Sequence, residues 1–153
     1  MSRARDDEAA RIGKLLAHPG SERVTVLRSE MRSAMSLYAG VFRDAEGLAT
    51  ARADLDAISE RLADIRLDNK AKRFNLEVRS ALELVNMMEV AQVIVESARN
   101  RTESRGSHFR TDHDKRDDGN WRQHTLAHSD GEGARVETTG LAAAIGDPDT
   151  RVY

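Results

Sequence analysis

The side chains that could perform chemistry are concentrated in residues 99–125, where guanidinium, carboxylate and imidazole groups alternate. If such groups are buried, they need one another as charge-assisted hydrogen-bond partners; if they are exposed, they form only a solvated loop. Gly106, in the middle of this stretch, suits a turn that needs a positive φ angle or a close approach of the backbone. These residue types are therefore compatible with three functions: a metal site, a nucleic-acid surface or a catalytic group.

The histidine spacing gives little support to a metal site. His108 and His113 lie five residues apart, and His124 and His128 lie four apart. On a helix the second pair would face one ion, but on the strand predicted here the two residues stand about 13 Å apart, too far to chelate. The chain has no cysteine, which excludes disulfides, thiolate metal sites and cysteine nucleophiles. We expect no metal and interpret the histidines as surface or hydrogen-bonded residues.

Nucleic-acid binding is disfavoured by the balance of charge. The whole chain carries 24 basic and 26 acidic residues, and only 4% of its residues are aromatic, which is thin for base stacking. Residues 99–116 hold six basic groups, and three acidic residues among them, Glu103, Asp112 and Asp114, offset half of these. Those six basic groups are Arg99, Arg101, Arg105, Arg110, Lys115 and Arg116. We predict no nucleic-acid partner.

Catalysis within this chain is also disfavoured. Ser104 or Ser107 with His108 and Asp112 has the composition of a triad, but sequence neighbours rarely meet in triad geometry and no strand–turn–helix elbow precedes either serine. The only Gly-x-Gly pattern, at residues 131–133, lacks the third glycine of a dinucleotide-binding loop. We predict no catalytic, cofactor-binding or metal-binding residue.

Helices are the elements predicted to position this stretch. A chain of 153 residues suits one domain. Apolar residues at steps of three and four predict a short first helix over residues 6–18 and a second helix that is capped by Ser21 and ends near Gly40. A third helix is predicted to begin after its cap, Asp44, and a fourth to run from Leu76 to Arg101. After it we predict a loop over residues 102–121, a β-hairpin of Gln123–Ser129 with Ala134–Thr138, and a tail with weak structure from Gly140.

The third and fourth helices carry the apolar surface of the predicted bundle. The third has a seam at heptad spacing, which fits either a bundle core, the favoured reading, or a partner helix. Its residues are Leu48, Ala51, Leu55, Ile58, Leu62 and Ile65. The fourth is apolar on most faces, so it needs cover either from a further surface, such as another domain, or from the first helix.

The predicted fold is mainly α: a three-helix antiparallel bundle (spectrin-repeat-like) with a short N-terminal helix and a small C-terminal loop and hairpin. We divide the chain into a helix and linker over residues 1–20, the bundle over 21–102, and the Arg/Asp/His-rich loop, hairpin and tail over 103–153. We expect no secretory signal, because the first residues carry charges with no apolar stretch behind them, and no apolar run reaches spanning length. We therefore expect no direct membrane insertion and a cytoplasmic location, or one on the cytoplasmic face of the inner membrane through partner subunits.

Several motifs resemble the C-terminal region of the succinate dehydrogenase/fumarate reductase flavoprotein subunit. The most specific are Glu-Ser-Arg-Gly-x-His at residues 103–108 and Arg-Asp-Asp-x-Asn-Trp-x-x-His-Thr at residues 116–125. The resemblance covers about residues 22 to 153. L-aspartate oxidase resembles the first motif but is not expected to carry the second. The chain departs from the family's pattern at two places. One is Asn75-Leu76-Glu77 at the start of the fourth helix, and the other is His113 or Asp114, where the family often has proline.

This resemblance implies a parent flavoprotein that interconverts succinate and fumarate with FAD. Its FAD-binding and capping domains, with the substrate and flavin residues, would lie outside this chain, so none of those residues is carried over. The chain would pack on these domains near the iron–sulfur subunit and be inactive alone. The alternatives are a stand-alone helical interaction module without enzymatic activity and a small metal-binding protein.

The resemblance also yields a docking hypothesis. Six residues of the Arg/Asp/His-rich stretch would lock the domain to the flavin domain, or else only tie the loop back onto its own bundle. They are Arg105, His108, Arg110, Asp117, Asp118 and Trp121. An isolated bundle with an uncovered apolar face should self-associate, because large exposed apolar patches rarely stay free.

Overall fold

Four helices form most of the structure, a computed structural model that describes residues 2–129 and 134–141. They are α1 (Ser2–Ala17), α2 (Val24–Tyr38), α3 (Ala45–Arg61), which ends in a 3-10 turn (Leu62–Asp64), and α4 (Leu76–Asn100). The strands are β1 (Phe42–Arg43), β2 (Phe109–Arg110), β3 (Gln123–Ser129) and β4 (Ala134–Gly140). The prediction of a mainly α bundle with a small C-terminal hairpin is confirmed. The predicted glycine-rich turn of the hairpin and most of the predicted tail lie outside the described residues.

The hydrophobic core lies between α2, α3 and α4. The seam of α3 faces this core, with Leu48, Leu55 and Ile58 buried, so the bundle-core reading of the heptad spacing is confirmed. Each fully buried leucine contributes roughly 1.5–3 kcal/mol through removal of its side chain from water. From α1, Leu15 and Leu16 pack against this core while staying partly exposed.

Side-chain caps fix where α3 and α4 begin. Asp44 accepts a hydrogen bond from the Gly47 amide at 2.7 Å, as predicted, and Asn75 caps α4 by accepting from the amides of Glu77 and Val78. Such caps satisfy backbone donors that have no partner inside the helix, and each stabilises its helix by about 1 kcal/mol.

The predicted cap of α2 is wrong. Arg23 occupies the N-cap position of α2 and makes no side-chain cap, whereas Ser21 donates from its backbone amide and hydroxyl to Asp64 at 3.0 and 2.6 Å. Gly20 runs so close to Asp64 that a Cβ on this glycine would lie 2.0 Å from the Asp64 carbonyl oxygen. This long-range contact takes Ser21 away from the helix start.

A short parallel pairing joins the segment before α3 to the segment after α4. Phe42 pairs with Phe109 and Arg43 with Arg110. The two phenylalanine rings meet edge to face with centroids 5.4 Å apart. The sequence predicted only loop here, since two-residue strands leave no periodic pattern to detect.

The C-terminal hairpin is antiparallel and packs partly against α4. Gln123 lies opposite Gly140 and Ser129 lies opposite Ala134, so β4 extends two residues beyond the predicted Thr138. In the described part of the chain, no helix has the length and apolarity needed to cross a membrane.

Candidate functional site

The Arg/Asp/His-rich stretch folds around one fully buried carboxylate at the end of α4. Glu103 has no exposed surface and accepts hydrogen bonds from Arg101 Nη1 at 2.5 Å and from Arg105 Nε at 2.8 Å. The backbone amide of Asp117 donates to its other oxygen at 2.8 Å. Burial alone would raise the pKa of Glu103, but the hydrogen bonds from Arg105, Asp117 and Arg101 outweigh it and lower the pKa. Glu103 is therefore held as an anion that ties both ends of the loop together.

Arg110 forms the second buried centre of the network. This guanidinium is only 2% exposed, and it donates to the carbonyl oxygen of Ala98 at 3.0 Å and to that of Arg101 at 3.2 Å. It also binds both oxygens of Asp112, at 2.7 Å each. Arg110 thereby places a positive charge where the last carbonyl groups of α4 lack helical partners.

His108 lies between two arginines in a neutral, oriented state. Its Nε2 lies 3.2 Å from the Arg101 carbonyl oxygen, and its Nδ1 lies 3.2 Å from Nη1 of Arg43. Since the carbonyl can only accept and Arg43 can only donate, Nε2 carries the hydrogen and Nδ1 accepts. Burial is the largest cause that lowers the pKa of His108, and the charges of Arg43, Arg110 and Arg101 lower it further.

The outer part of the network is more exposed. Asp118 accepts from Arg105 Nη2 at 2.8 Å and from Arg116 Nε at 2.8 Å, and hydrogen bonds from Arg116 and then Arg105 lower its pKa. Asp117 accepts from the backbone amide and side-chain nitrogen of Asn120, which shapes a turn and lowers the pKa of Asp117.

Trp121 closes the loop over Arg101. The Arg101 guanidinium carbon lies 5.1 Å from the centre of the Trp121 ring, within the range of a cation–π contact. The indole Nε1 donates to Thr102 Oγ1 at 3.2 Å, and Arg101 Nη1 donates to the Trp121 carbonyl oxygen at 3.0 Å.

The structure thus brings all six predicted docking residues to the end of α4. Their polar groups bind partners within the chain, and all except the buried Arg110 keep some exposed surface. The predicted docking residues did not include Arg43, Arg101 or Glu103. A single acid between two arginines, Arg101-x-Glu103-x-Arg105, was a local signal for the buried carboxylate of Glu103. No local signal pointed to Arg43, which lies 65 residues from its partner His108.

No triad forms from the serine, histidine and aspartate considered above. The hydroxyl of Ser104 bonds the His113 carbonyl oxygen at 2.8 Å and accepts from the Arg110 amide at 2.9 Å. Both nitrogens of His108 face Arg101 and Arg43, and Asp112 binds Arg110. Residues 2–129 and 134–141 contain no group of three or more metal-ligating side chains that could hold an ion.

The six basic groups of residues 99–116 are also largely neutralised. Five of the six form ion pairs with carboxylates; in order these are Arg99 with Glu96, Arg101 and Arg105 with Glu103, Arg110 with Asp112, and Arg116 with Asp118. Guanidinium groups used in this way are not arranged as a row for phosphate contacts.

A second feature is an apolar groove between α2 and α4, hereafter the α2/α4 groove. It encloses about 460 Å³ and its apolar lining consists of Met31, Met35, Met87, Val90, Ala91 and Ile94. Val90 is 58% exposed and Ile94 is 42% exposed. Arg32 borders the groove and has no hydrogen-bond or ion-pair partner among the described residues. The surplus apolar face predicted for the fourth helix is therefore real, and α1 does not cover this part of it.

Comparisons with known proteins identify the family. The family model described as "Fumarate reductase flavoprotein C-term" matches residues 28–153. The fumarate reductase flavoprotein subunit of Mycobacterium tuberculosis is 37% identical over 149 residues, which cover 95% of this chain and 26% of that protein. The succinate dehydrogenase flavoprotein subunit of Coxiella burnetii is 40% identical over 126 residues, which cover 82% of this chain and 22% of that protein.

Solved structures share the fold. The FrdA chain of E. coli quinol fumarate reductase superposes with a TM-score of 0.90 at 32% identity, over 99% of this chain and 26% of that one. Adenylylsulfate reductase from Archaeoglobus fulgidus, with a TM-score of 0.74 at 21% identity over 86% of this chain and 21% of that one, shares the fold alone. This chain spans about a quarter of the length of these relatives. The family is one of flavoproteins, which implies FAD in the parent subunit. The chain belongs to the family of C-terminal domains of the fumarate reductase and succinate dehydrogenase flavoprotein subunits.

Proposed function

We propose that this chain serves a flavoprotein that interconverts succinate and fumarate, and that it packs on the FAD-binding and capping domains near the iron–sulfur subunit. The reaction would then use FAD and substrate groups outside this chain, which would be inactive alone. The names of the relatives, fumarate reductase and succinate dehydrogenase flavoprotein subunits, support this substrate pair. A structurally similar quinol-fumarate reductase was solved with menaquinol, a lipid-soluble quinol, which supports a location at a membrane through partner subunits; the cytoplasmic face is the one we propose.

The observation that carries the docking proposal is the open α2/α4 groove. Val90, Ile94 and Met87 expose apolar surface on a helix whose other side forms the bundle core. Burial of apolar surface is worth about 25 cal/mol per Å², so a matching apolar surface would stabilise the assembly substantially. The relatives are about four times longer than this chain, and the rest of such a flavoprotein supplies a surface of the necessary size.

The loop network would contribute a second, polar part of the docking surface. Asp118 is exposed and Arg105, His108, Asp117 and Trp121 are partly exposed, whereas Arg110 is buried and holds the end of α4. If these residues lock the domain to the flavin domain, Arg105→Ala in the flavoprotein that carries this sequence should weaken flavin retention or domain docking. Unchanged flavin content and thermal stability would contradict the locking role.

The first test is the mass of the native gene product, measured by blotting source-cell lysate with an antibody to this chain. We expect a flavin-containing band several-fold heavier than 17.0 kDa, or co-purification with a separate flavin-bearing chain. A band near 17.0 kDa without a flavin-bearing partner would overturn the proposal. It would support the alternative, a stand-alone interaction module that uses the same groove for another protein.

The second test places a charge in the groove of the assembled flavoprotein. Ile94→Glu should accelerate flavin loss, because a carboxylate in an apolar contact carries a large desolvation penalty. The matched control is Leu76→Glu, at an apolar position that is 68% exposed at the other end of α4 and does not line the groove. Equal flavin retention in the two variants would contradict docking through the α2/α4 groove.

A further inference from the structure

Arg43 is a half-buried cation that forms no ion pair with any described carboxylate. The neighbouring arginines are compensated, Arg110 by Asp112 and Arg101 by Glu103. In contrast, the described hydrogen-bond partners of the Arg43 guanidinium are the Gly40 carbonyl oxygen, through Nε at 2.7 Å, and His108 Nδ1, through Nη1 at 3.2 Å. Its second terminal nitrogen, Nη2, has no hydrogen-bond partner in the described part of the chain.

The surroundings of Arg43 hold its guanidinium in one orientation. Two of its nitrogens are fixed by acceptors on different segments, and its backbone is paired with that of Arg110 in the β1–β2 contact. His108 can act as an acceptor because its other nitrogen faces the Arg101 carbonyl oxygen. A guanidinium that is already oriented loses less side-chain freedom when it binds a carboxylate.

The electrostatic environment leaves this charge uncompensated. Burial, followed by the positive charge of Arg110, lowers the pKa of Arg43. Both causes disfavour the cation, and no described carboxylate acts in the opposite direction. An incoming carboxylate would offset both effects, because it would supply an opposite charge and accept charge-assisted hydrogen bonds from Nη2.

The surface beside Arg43 is apolar and exposed. Phe42 is 70% exposed and Val41 is 57% exposed, and Phe109 supports Phe42 through the edge-to-face ring contact. Aromatic residues and arginines are the types most enriched among residues that dominate binding energy at protein interfaces. A small free anion would pair with Arg43 but would leave Val41 and Phe42 in water. A protein surface that carries a carboxylate beside apolar groups can pair with Arg43 and also remove Val41 and Phe42 from water.

We propose that Arg43 is a preoriented receptor for a carboxylate on the flavin-bearing part of the subunit, with Val41 and Phe42 as the apolar rim of the contact. This inference rests on the proposed function, and it adds to the docking surface outside the α2/α4 groove a further residue with a stated partner chemistry. His108 then acts as a positioning residue for this contact, since its Nδ1 accepts from Nη1 of Arg43 and so orients the guanidinium.

A zero-length cross-link tests this contact in the intact flavoprotein. The amine introduced by Arg43→Lys should couple to an Asp or Glu of the flavin-bearing part when a carbodiimide is added, because this reagent joins only groups in contact. The matched control is Arg73→Lys, at an exposed arginine of the α3–α4 connection without a described partner, and it should give no such cross-link. Should Arg43→Lys lower the yield of folded subunit, Phe42→Lys provides the amine at the neighbouring exposed position. Cross-links confined to this chain, or equal for the control, would overturn the proposal.

A second measurement separates this inference from the proposed function. In the intact flavoprotein, Arg43→Gln should accelerate flavin dissociation about tenfold and weaken its dependence on salt, whereas Arg73→Gln should change neither. If Ile94→Glu accelerates flavin loss and Arg43→Gln does not, the inference about Arg43 fails while docking through the groove stands. If neither variant has an effect, both fail. If phosphate alone protects the free chain against heat through Arg43, a free anion is the ligand and the proposed protein contact is wrong.

Discussion

Arg110 and Asp112 join the end of α4 to the beginning of α3. Two hydrogen bonds of 2.7 Å connect the guanidinium to the carboxylate. Arg110 also donates to the Ala98 carbonyl oxygen in the last turn of α4, while Asp112 accepts from the Ala45 amide in the first turn of α3. Each charge faces the helix end that its sign stabilises, so one ion pair satisfies two helix termini.

Arg110→Met should destabilise the chain by about 2–4 kcal/mol, because it leaves carbonyl oxygens of α4 without donors and Asp112 without its partner. The matched control is Arg79→Met, which removes the exposed Arg79–Glu83 pair and should cost below about 0.5 kcal/mol. Urea unfolding monitored by circular dichroism measures both. Similar midpoints for the two variants would show that the buried position of Arg110 confers no special stability.

Glu103→Gln should loosen the loop after α4. The amide keeps the shape of the side chain but removes the charge that Arg101 and Arg105 share, so we expect a loss of about 2–4 kcal/mol. Trp121 is the only tryptophan of the chain and packs on Arg101, so its fluorescence should shift to longer wavelength as the loop opens. Glu89→Gln, at an exposed position of α4, is the control and should leave the spectrum unchanged. An unaltered spectrum in Glu103→Gln would refute the role of this carboxylate.

The helices and the hairpin could be predicted because their signals are local. Asp44 stands directly before an apolar seam, and Gly106 has a φ of 62°, as its place in a predicted turn required. The cap of α2 was predicted wrongly because the partner of Ser21 is Asp64, 43 residues away. No local pattern reveals such a tertiary contact.

The sequence predicted that the residues of the candidate site lie close together, but not which of them are buried or which partners they bind. The motif placed Arg105, His108 and Arg110 together, yet the sequence could not show that Arg110 is buried and His108 neutral. Burial lowers the pKa of His108 most, and the charge of Arg43 lowers it further, yet Arg43 reaches the cluster only through the two-residue β1–β2 pairing. A pairing of that length contributes no periodicity, so the chemistry of the site emerged only in three dimensions.

Stability should decrease as the pH falls below about 6.5, in part because of His108. Burial and three arginines lower the pKa of this histidine in the folded chain. In the unfolded chain its pKa is near 6.5, so at a pH between the two values the unfolded state binds more protons than the folded state. The stability that the neutral ring contributes is present above pH 6.5 and is lost as the pH falls through the folded pKa. Thermal melts across this window should show a shallower slope for His108→Gln than for His124→Gln, an exposed histidine on β3. Equal slopes would remove His108 as the cause.

The free chain should self-associate through the α2/α4 groove. Met87, Val90 and Ile94 expose an apolar surface that the bundle does not cover, and contact between copies removes such surface from water. Val90→Lys should weaken the association about tenfold or more, since it brings an ammonium group into an apolar contact. Val26→Lys is the matched control, because Val26 is 45% exposed on α2 and does not line the groove. Sedimentation equilibrium over a range of concentrations measures the effect. If the chain stays strictly monomeric at high concentration and binds no hydrophobic dye, the groove is not an uncovered docking face. The proposal that the groove docks on the rest of a flavoprotein would then lose its main support.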